Sequence, residues 1–259
     1  MPKLNTIEEN AKRLIGVEFN TINYGKCVVV DYKGCTNVLV KFYEPECYTT
    51  CQYSSLVKGR VANPNFPTVY WKGYTGVGKY NGSKDRKVYK LWETMLKRAY
   101  CPKYRKDTPS YNGVTVCKEW LNFQNFADWC YSQNFFGAKD IKGNSYQLDK
   151  DLLIKGNKIY SPQHCCFVPN EINVLLINNK RDRGSCPVGV SVNKNKYLAT
   201  LSRVTGKLYL GRFKSKEEAF LVYKEAKEKH IRETAEKWRG MVDDKVYEAM
   251  LRWEIHIDD

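Results

Sequence analysis

The chain contains no run of eighteen apolar residues, so no segment is expected to span a membrane as a helix. Residues 1–10 are polar and lack the hydrophobic core of a signal peptide, which makes a cytoplasmic protein the expectation. A phosphate-binding loop is missing as well. The stretch Gly73-Tyr74-Thr75-Gly76-Val77-Gly78 is not followed by Lys-Ser/Thr in a strand-to-helix setting, and it reads as a linker. No small-molecule cofactor is expected. Acidic side chains are in short supply: 28 Asp+Glu face 43 Lys+Arg, leaving a formal net charge of +15 over 259 residues. Such an excess suits a phosphate-bearing polymer, because each neutralised phosphate releases condensed counterions. With 42% hydrophobic and 14% aromatic residues the chain can still build cores, which excludes a disordered tail.

Ten cysteines are present, and in a reducing compartment they are thiols, small hydrophobes or metal ligands. Cys47 and Cys51 have a spacing zinc could use, but the Cys27–Cys35 gap is too wide for a knuckle. Cys27 opens the apolar run Cys27-Val28-Val29-Val30 and reads as core, so structural zinc is not expected. The adjacent Cys165 and Cys166 would face opposite sides of a strand.

Composition divides the chain into three stretches and predicts a multidomain α+β protein. Residues 1–80 hold short β-rich runs broken by turns, which suggests a small barrel-like domain. Residues 81–183 mix helices with a strand-turn-strand-helix unit; Val88, Leu91, Trp92, Met95 and Ala99 recur at helical spacing, as do Trp120, Phe123, Phe126 and Cys130. Both aromatic stripes read as core. Residues 184–259 predict three short strands (188–192, 197–202 and 208–213), then a helix opened by the capping box Ser215-Lys216-Glu217-Glu218. Alternation turns Ala199 and Leu201 toward that helix and Leu198, Thr200 and Ser202 outward, with Lys207 and Tyr209 outward on the next strand. Lys194, Lys196, Arg203 and Arg212 would rim this face, which suits entry into a major groove of double-stranded DNA. Val246, Met250 and Trp253 share one face of a closing helix that packs back on a domain; His230 and His256 read as surface.

The order Gly189-Val190, Tyr197-Leu198-Ala199, Tyr209-Leu210-Gly211-Arg212-Phe213, Glu217-Glu218-Ala219 and Tyr223 resembles the AP2 DNA-binding domain over roughly fifty residues. That resemblance implies DNA binding through a three-stranded sheet. Arginines common on the family's face appear here as Ser191 and Ser202, so its sequence preference does not carry over.

Leu148-Asp149-Lys150-Asp151, Gly156-Asn157, Tyr160-Ser161-Pro162-Gln163-His164-Cys165 and Glu171-Ile172-Asn173 resemble, more faintly, HNH (ββα-metal) endonucleases of the kind phage genomes carry beside AP2 domains. The resemblance implies a catalytic set of Asp149, Lys150, His164 and Asn173, with Asp149, Asp151 and His164 at a divalent metal, Mg²⁺ or Mn²⁺. Lys150 stands where the family has its activating histidine. A lysine with an ordinary pKa of about 10.4 is a poor base at neutral pH and would instead stabilise developing negative charge. The first expectation is thus a phage-type homing or nicking endonuclease acting in a bacterial cytoplasm. The second is a DNA-binding or regulatory protein that kept the ββα scaffold without catalysis. The third is a phage protein that inhibits a host factor by protein contact.

Overall fold

The computed structural model describes residues 4–176, 186–203 and 206–259. Chain contacts divide the protein into two units, Met1–Cys130 and Tyr131–Asp259. Helices alternate with several small sheets, and no closed barrel forms among the described residues.

In the first unit, helix α1 (Leu4–Leu14) precedes an antiparallel meander of β1 (Glu18–Asn20), β2 (Lys26–Tyr32), β3 (Val38–Phe42) and β4 (Cys47–Cys51), closed by α2 (Tyr53–Val57). Strict alternation in β3 buries Val38, Val40 and Phe42. A register shift between Val29 and Asp31 breaks the alternation of β2, so Cys27, Val29 and Tyr32 all reach the core. The expected barrel is instead an open sheet. Its edge strands β1 and β4 do not pair, and Leu14 and Leu56 from the two helices complete the core. Cys27 and Cys47 are buried here, and burial pushes the Cys51 thiol up to about 11.

The same unit continues through α3 (Arg86–Tyr100), α4 (Pro102–Asp107), β5 (Thr115–Val116) and α5 (Phe123–Ser132). Val88, Trp92, Met95 and Ala99 are buried at the anticipated spacing, with Leu96 joining them, and Trp120, Phe123, Phe126 and Cys130 are also buried. Trp92 donates its indole N–H to the Trp120 carbonyl at 2.7 Å. The glycine-rich stretch does not behave as a linker. A Cβ on Gly73 would lie 2.3 Å from Leu96, and buried Gln124 donates to the carbonyls of Thr75 and Tyr80. The glycines are there for close approach to α3 and α5.

The second unit holds β6 (Gln147–Asp149), β7 (Ile159–Tyr160), β8 (Cys166–Val168) and α6 (Asn170–Leu175), with β6 antiparallel to β8. Strands β9 (Val190–Asn193), β10 (Lys196–Arg203) and β11 (Gly206–Phe213) follow as a three-stranded antiparallel sheet with β10 in the centre. Helix α7 (Lys216–Lys237) packs on it through Ala219, Phe220 and Tyr223. Its capping box is formed: the Ser215 hydroxyl accepts from the Glu218 amide at 3.1 Å, and the Glu218 carboxylate accepts from the Ser215 amide. Helix α8 (Asp244–Leu251) packs on α7 and buries Val246 and Met250. No described helix is long and apolar enough to cross a membrane.

Gly189 shows how tightly α7 is seated. Its φ is +75°, and a Cβ there would fall 2.0 Å from the Tyr223 ring. Gly189→Ala combines left-handed strain with overpacking, and equilibrium denaturation is expected to record a loss of roughly 2–4 kcal/mol. Unchanged stability would mean that α7 does not press on β9 as described.

Candidate nucleic-acid interface

The ββα unit places each site residue expected from the sequence in its own local bond. Asp149 ends β6, and its Oδ1 accepts from the amides of Asp151 (2.9 Å) and Leu152 (2.7 Å), holding the following turn. Lys150 is only 8% exposed; its Nζ donates to the Asp151 carboxylate at 2.9 Å and to the Asn157 carbonyl at 3.1 Å. His164 pairs its Nδ1 with the Ser161 hydroxyl at 2.8 Å. Asn173, on α6, donates to the Gln147 side chain, which in turn donates to Asn170 at 3.1 Å. Hence Asp149, Lys150 and Asp151 share one turn, while His164 and Asn173 are bound elsewhere.

The set expected to hold a divalent cation, Asp149, Asp151 and His164, does not converge as one group among the described residues. A hard ion needs oxygen donors with free lone pairs and negative charge. Among the described residues no three His, Cys, Asp or Glu side chains converge. The positive charge beside Asp151 is already supplied by Lys150. Asp149 itself is held toward its neutral form, up to about 6, by burial first and then by the charge of Asp151; the two amides and Lys150 oppose the shift without cancelling it. Across the ladder, Cys166 faces Asp149, its thiol raised chiefly by burial.

Asn157, part of the HNH-like motif but with no role assigned from the sequence, organises the loop. Its Nδ2 donates to the carbonyls of Lys150 (2.6 Å) and Ile159 (2.8 Å), clamping the two sides together. Glu171, which the motif also contains without a role, accepts from Lys237 at 2.6 Å and from the Trp238 indole at 3.1 Å, joining α6 to the end of α7. Lys227 on α7 donates to the Leu175 carbonyl at 2.7 Å, and burial lowers its ammonium to about 8. The usable signal for Asn157 was its place after Gly156 (φ +79°), where a short amide can bridge a tight turn.

The sheet has two unlike faces. Ala199 and Leu201 are fully buried toward α7. The opposite face carries Lys196, Leu198, Thr200 and Ser202 along β10. Leu198 pairs with Arg212, Thr200 with Tyr209 and Ser202 with Lys207 on β11. The register shift after Ala199 leaves Leu210 as an extra residue, so Tyr209 and Arg212 share this face despite their spacing of three. Tyr209 is 59% exposed, and Lys207 and Arg212 are exposed. Lys194 sits with Asn195 in the β9–β10 turn, both at positive φ. Arg203 differs from the others. It stands at the parity of Ala199 and Leu201, the β10 residues buried toward α7. Beyond the end of β9, Thr200, Ser202 and Arg203 line a groove of ≈ 1030 Å³ that also reaches Lys227 and His230.

The raised carboxyl of Asp149 fixes a pH signature. A native state that keeps this proton better than the unfolded chain loses stability from the group as pH rises from about 4 through about 6. Asparagine can accept the same two amide bonds without ever ionising. Asp149→Asn is therefore expected to match the wild type near pH 4 and to exceed it by roughly 1–3 kcal/mol near pH 7, read from denaturation at both pH values. A variant less stable than wild type at pH 7 contradicts this account of the turn.

Comparison with protein families, with curated proteins and with solved structures finds no match to this chain.

Proposed function

We propose that the protein binds duplex DNA through the outward face of β9–β11, and that its ββα unit is a scaffold without metal-dependent cleavage. One observation carries the binding reading: a solvent-facing sheet surface that gathers Lys196, Lys207, Tyr209 and Arg212, with Thr200 and Ser202 between them, while α7 occupies the other side. A two-stranded ribbon fits a major groove about 12 Å wide. Arginine and lysine contact phosphates or guanine edges there, and hydroxyls accept or donate to either. The net charge of +15 and the AP2-like order of residues support the same reading. The scaffold reading rests on Lys150, whose buried, doubly bonded ammonium replaces the expected base, and on Asp149, whose Oδ1 is taken up by two amides of its own turn.

Fluorescence anisotropy with a labelled duplex between 50 and 200 mM salt tests the binding. Affinity is expected to fall steeply with salt, and Lys207→Ala and Arg212→Ala each to weaken binding and lower the log–log slope by about 1. A salt-independent interaction, or none, removes the DNA reading and favours contact with another protein. Supercoiled plasmid incubated with Mg²⁺ or Mn²⁺ is expected to stay intact. Nicked or linear product that disappears with EDTA, with Asp149→Ala and with His164→Ala would reinstate the endonuclease.

A further inference from the structure

Four described non-glycine residues have positive φ, and they form two consecutive pairs. Lys194 and Asn195 make a two-residue hairpin turn, a place where asparagine is at home. Tyr70 (φ 52°) and Trp71 (φ 57°) have no such excuse: two bulky aromatic residues occupy a conformation usually left to Asn-Gly. Strain of this kind persists only when the surroundings impose it, and it concentrates where a side chain must be aimed.

The surroundings here do impose it. Val69 and Gly73 exchange backbone hydrogen bonds at 3.0 and 2.9 Å, closing the turn. Gly73 is pressed against Leu96 and Trp92 of α3. The next residue, Tyr74, donates to the Leu121 carbonyl and accepts from the Phe123 amide, so the base of the turn is pinned on two sides. Tyr70 is half-buried, its phenol beside Glu93 and Lys90 of α3. Trp71 is not packed. It is 81% exposed at the tip.

The chemistry around this indole is cationic and polar. Thr68 and Lys72 flank the turn and are exposed, and Lys90 and Glu93 of α3 act on the phenol of the neighbouring Tyr70. A protein-docking tryptophan usually sits in an apolar, charge-depleted patch. A flat aromatic ring beside an exposed lysine, on a chain of net charge +15, instead matches the way proteins hold nucleic-acid bases, by stacking beside a neutralised backbone. We propose that Trp71 is a base-stacking contact for nucleic acid, taking an unpaired or unstacked base of a bound strand. The inference rests on the nucleic-acid reading above and adds a second contact, in the first unit, that uses bases rather than grooves.

The full-length protein is titrated with a single-stranded oligonucleotide and with a duplex carrying a single-stranded overhang, following binding by anisotropy and stacking by tryptophan quenching. Trp71→Ala is expected to weaken binding of both by roughly 5- to 100-fold. Trp71→Phe is expected to keep most of the affinity but to lose part of the quenching. Trp71→Gly is expected to raise the melting temperature by relieving the left-handed strain while binding no better than Trp71→Ala. Wild-type affinity in Trp71→Ala, with Lys207→Ala and Arg212→Ala still impaired on duplex, overturns the stacking role and leaves the sheet interface standing. Absence of any nucleic-acid binding by the wild type overturns both.

Discussion

The close seating of α7 on one side of β9–β11 is the constraint from which the rest of the second unit follows. Gly189 under Tyr223, with Ala199 and Ala219 fully buried, lets helix and sheet approach without intervening bulk. Once that side is filled, alternation sends every second residue of β10 to solvent, and those residues are basic, hydroxylic or aliphatic rather than a second apolar core. The bulge after Ala199 adds one adjustment, bringing Tyr209 and Arg212 into the same plane. The exposed face is thus a by-product of how the other face is buried.

The ββα unit shows a different economy. Its long connection between β6 and β8 is held by one amide, Asn157, and one buried ammonium, Lys150, each bridging two groups across the loop. In that arrangement the Asp149 carboxyl holds a turn. Burial raises its pKa, and nothing nearby restores its charge fully. A substitution at Lys150 would remove a buried ammonium that joins Asp151 to the Asn157 carbonyl across the loop.

The strongly periodic parts of this structure were legible in the sequence: the buried rows of α3 and α5, the alternation of β10, the capping box before α7. In each, one side chain's position follows from its near neighbours. The failures came where distant residues decide. An open sheet rather than a barrel depends on α1 and α2 supplying Leu14 and Leu56 to the core. The glycines at 73–78 read as a linker because Leu96 and Gln124, which they must admit, lie far along the chain. Asp149, Lys150, His164 and Asn173 could be ordered along a motif, but a motif does not give the hydrogen-bond partners each of them takes. Arg203 falls on the helix side for the same reason that Ala199 does, a parity already written in β10.

Helix α7 also acts as a ruler. Its 22 residues span about 33 Å, with the sheet docked on Ala219, Phe220 and Tyr223 near its start and Glu171 of α6 held by Lys237 and Trp238 at its end. Both attachments are fixed in rotation as well as in distance. Adding or deleting one residue between them would turn the far end by about 100° and carry Lys237 away from Glu171. Exchanges along the solvent side of α7 should therefore pass freely through evolution, whereas insertions and deletions within it should not.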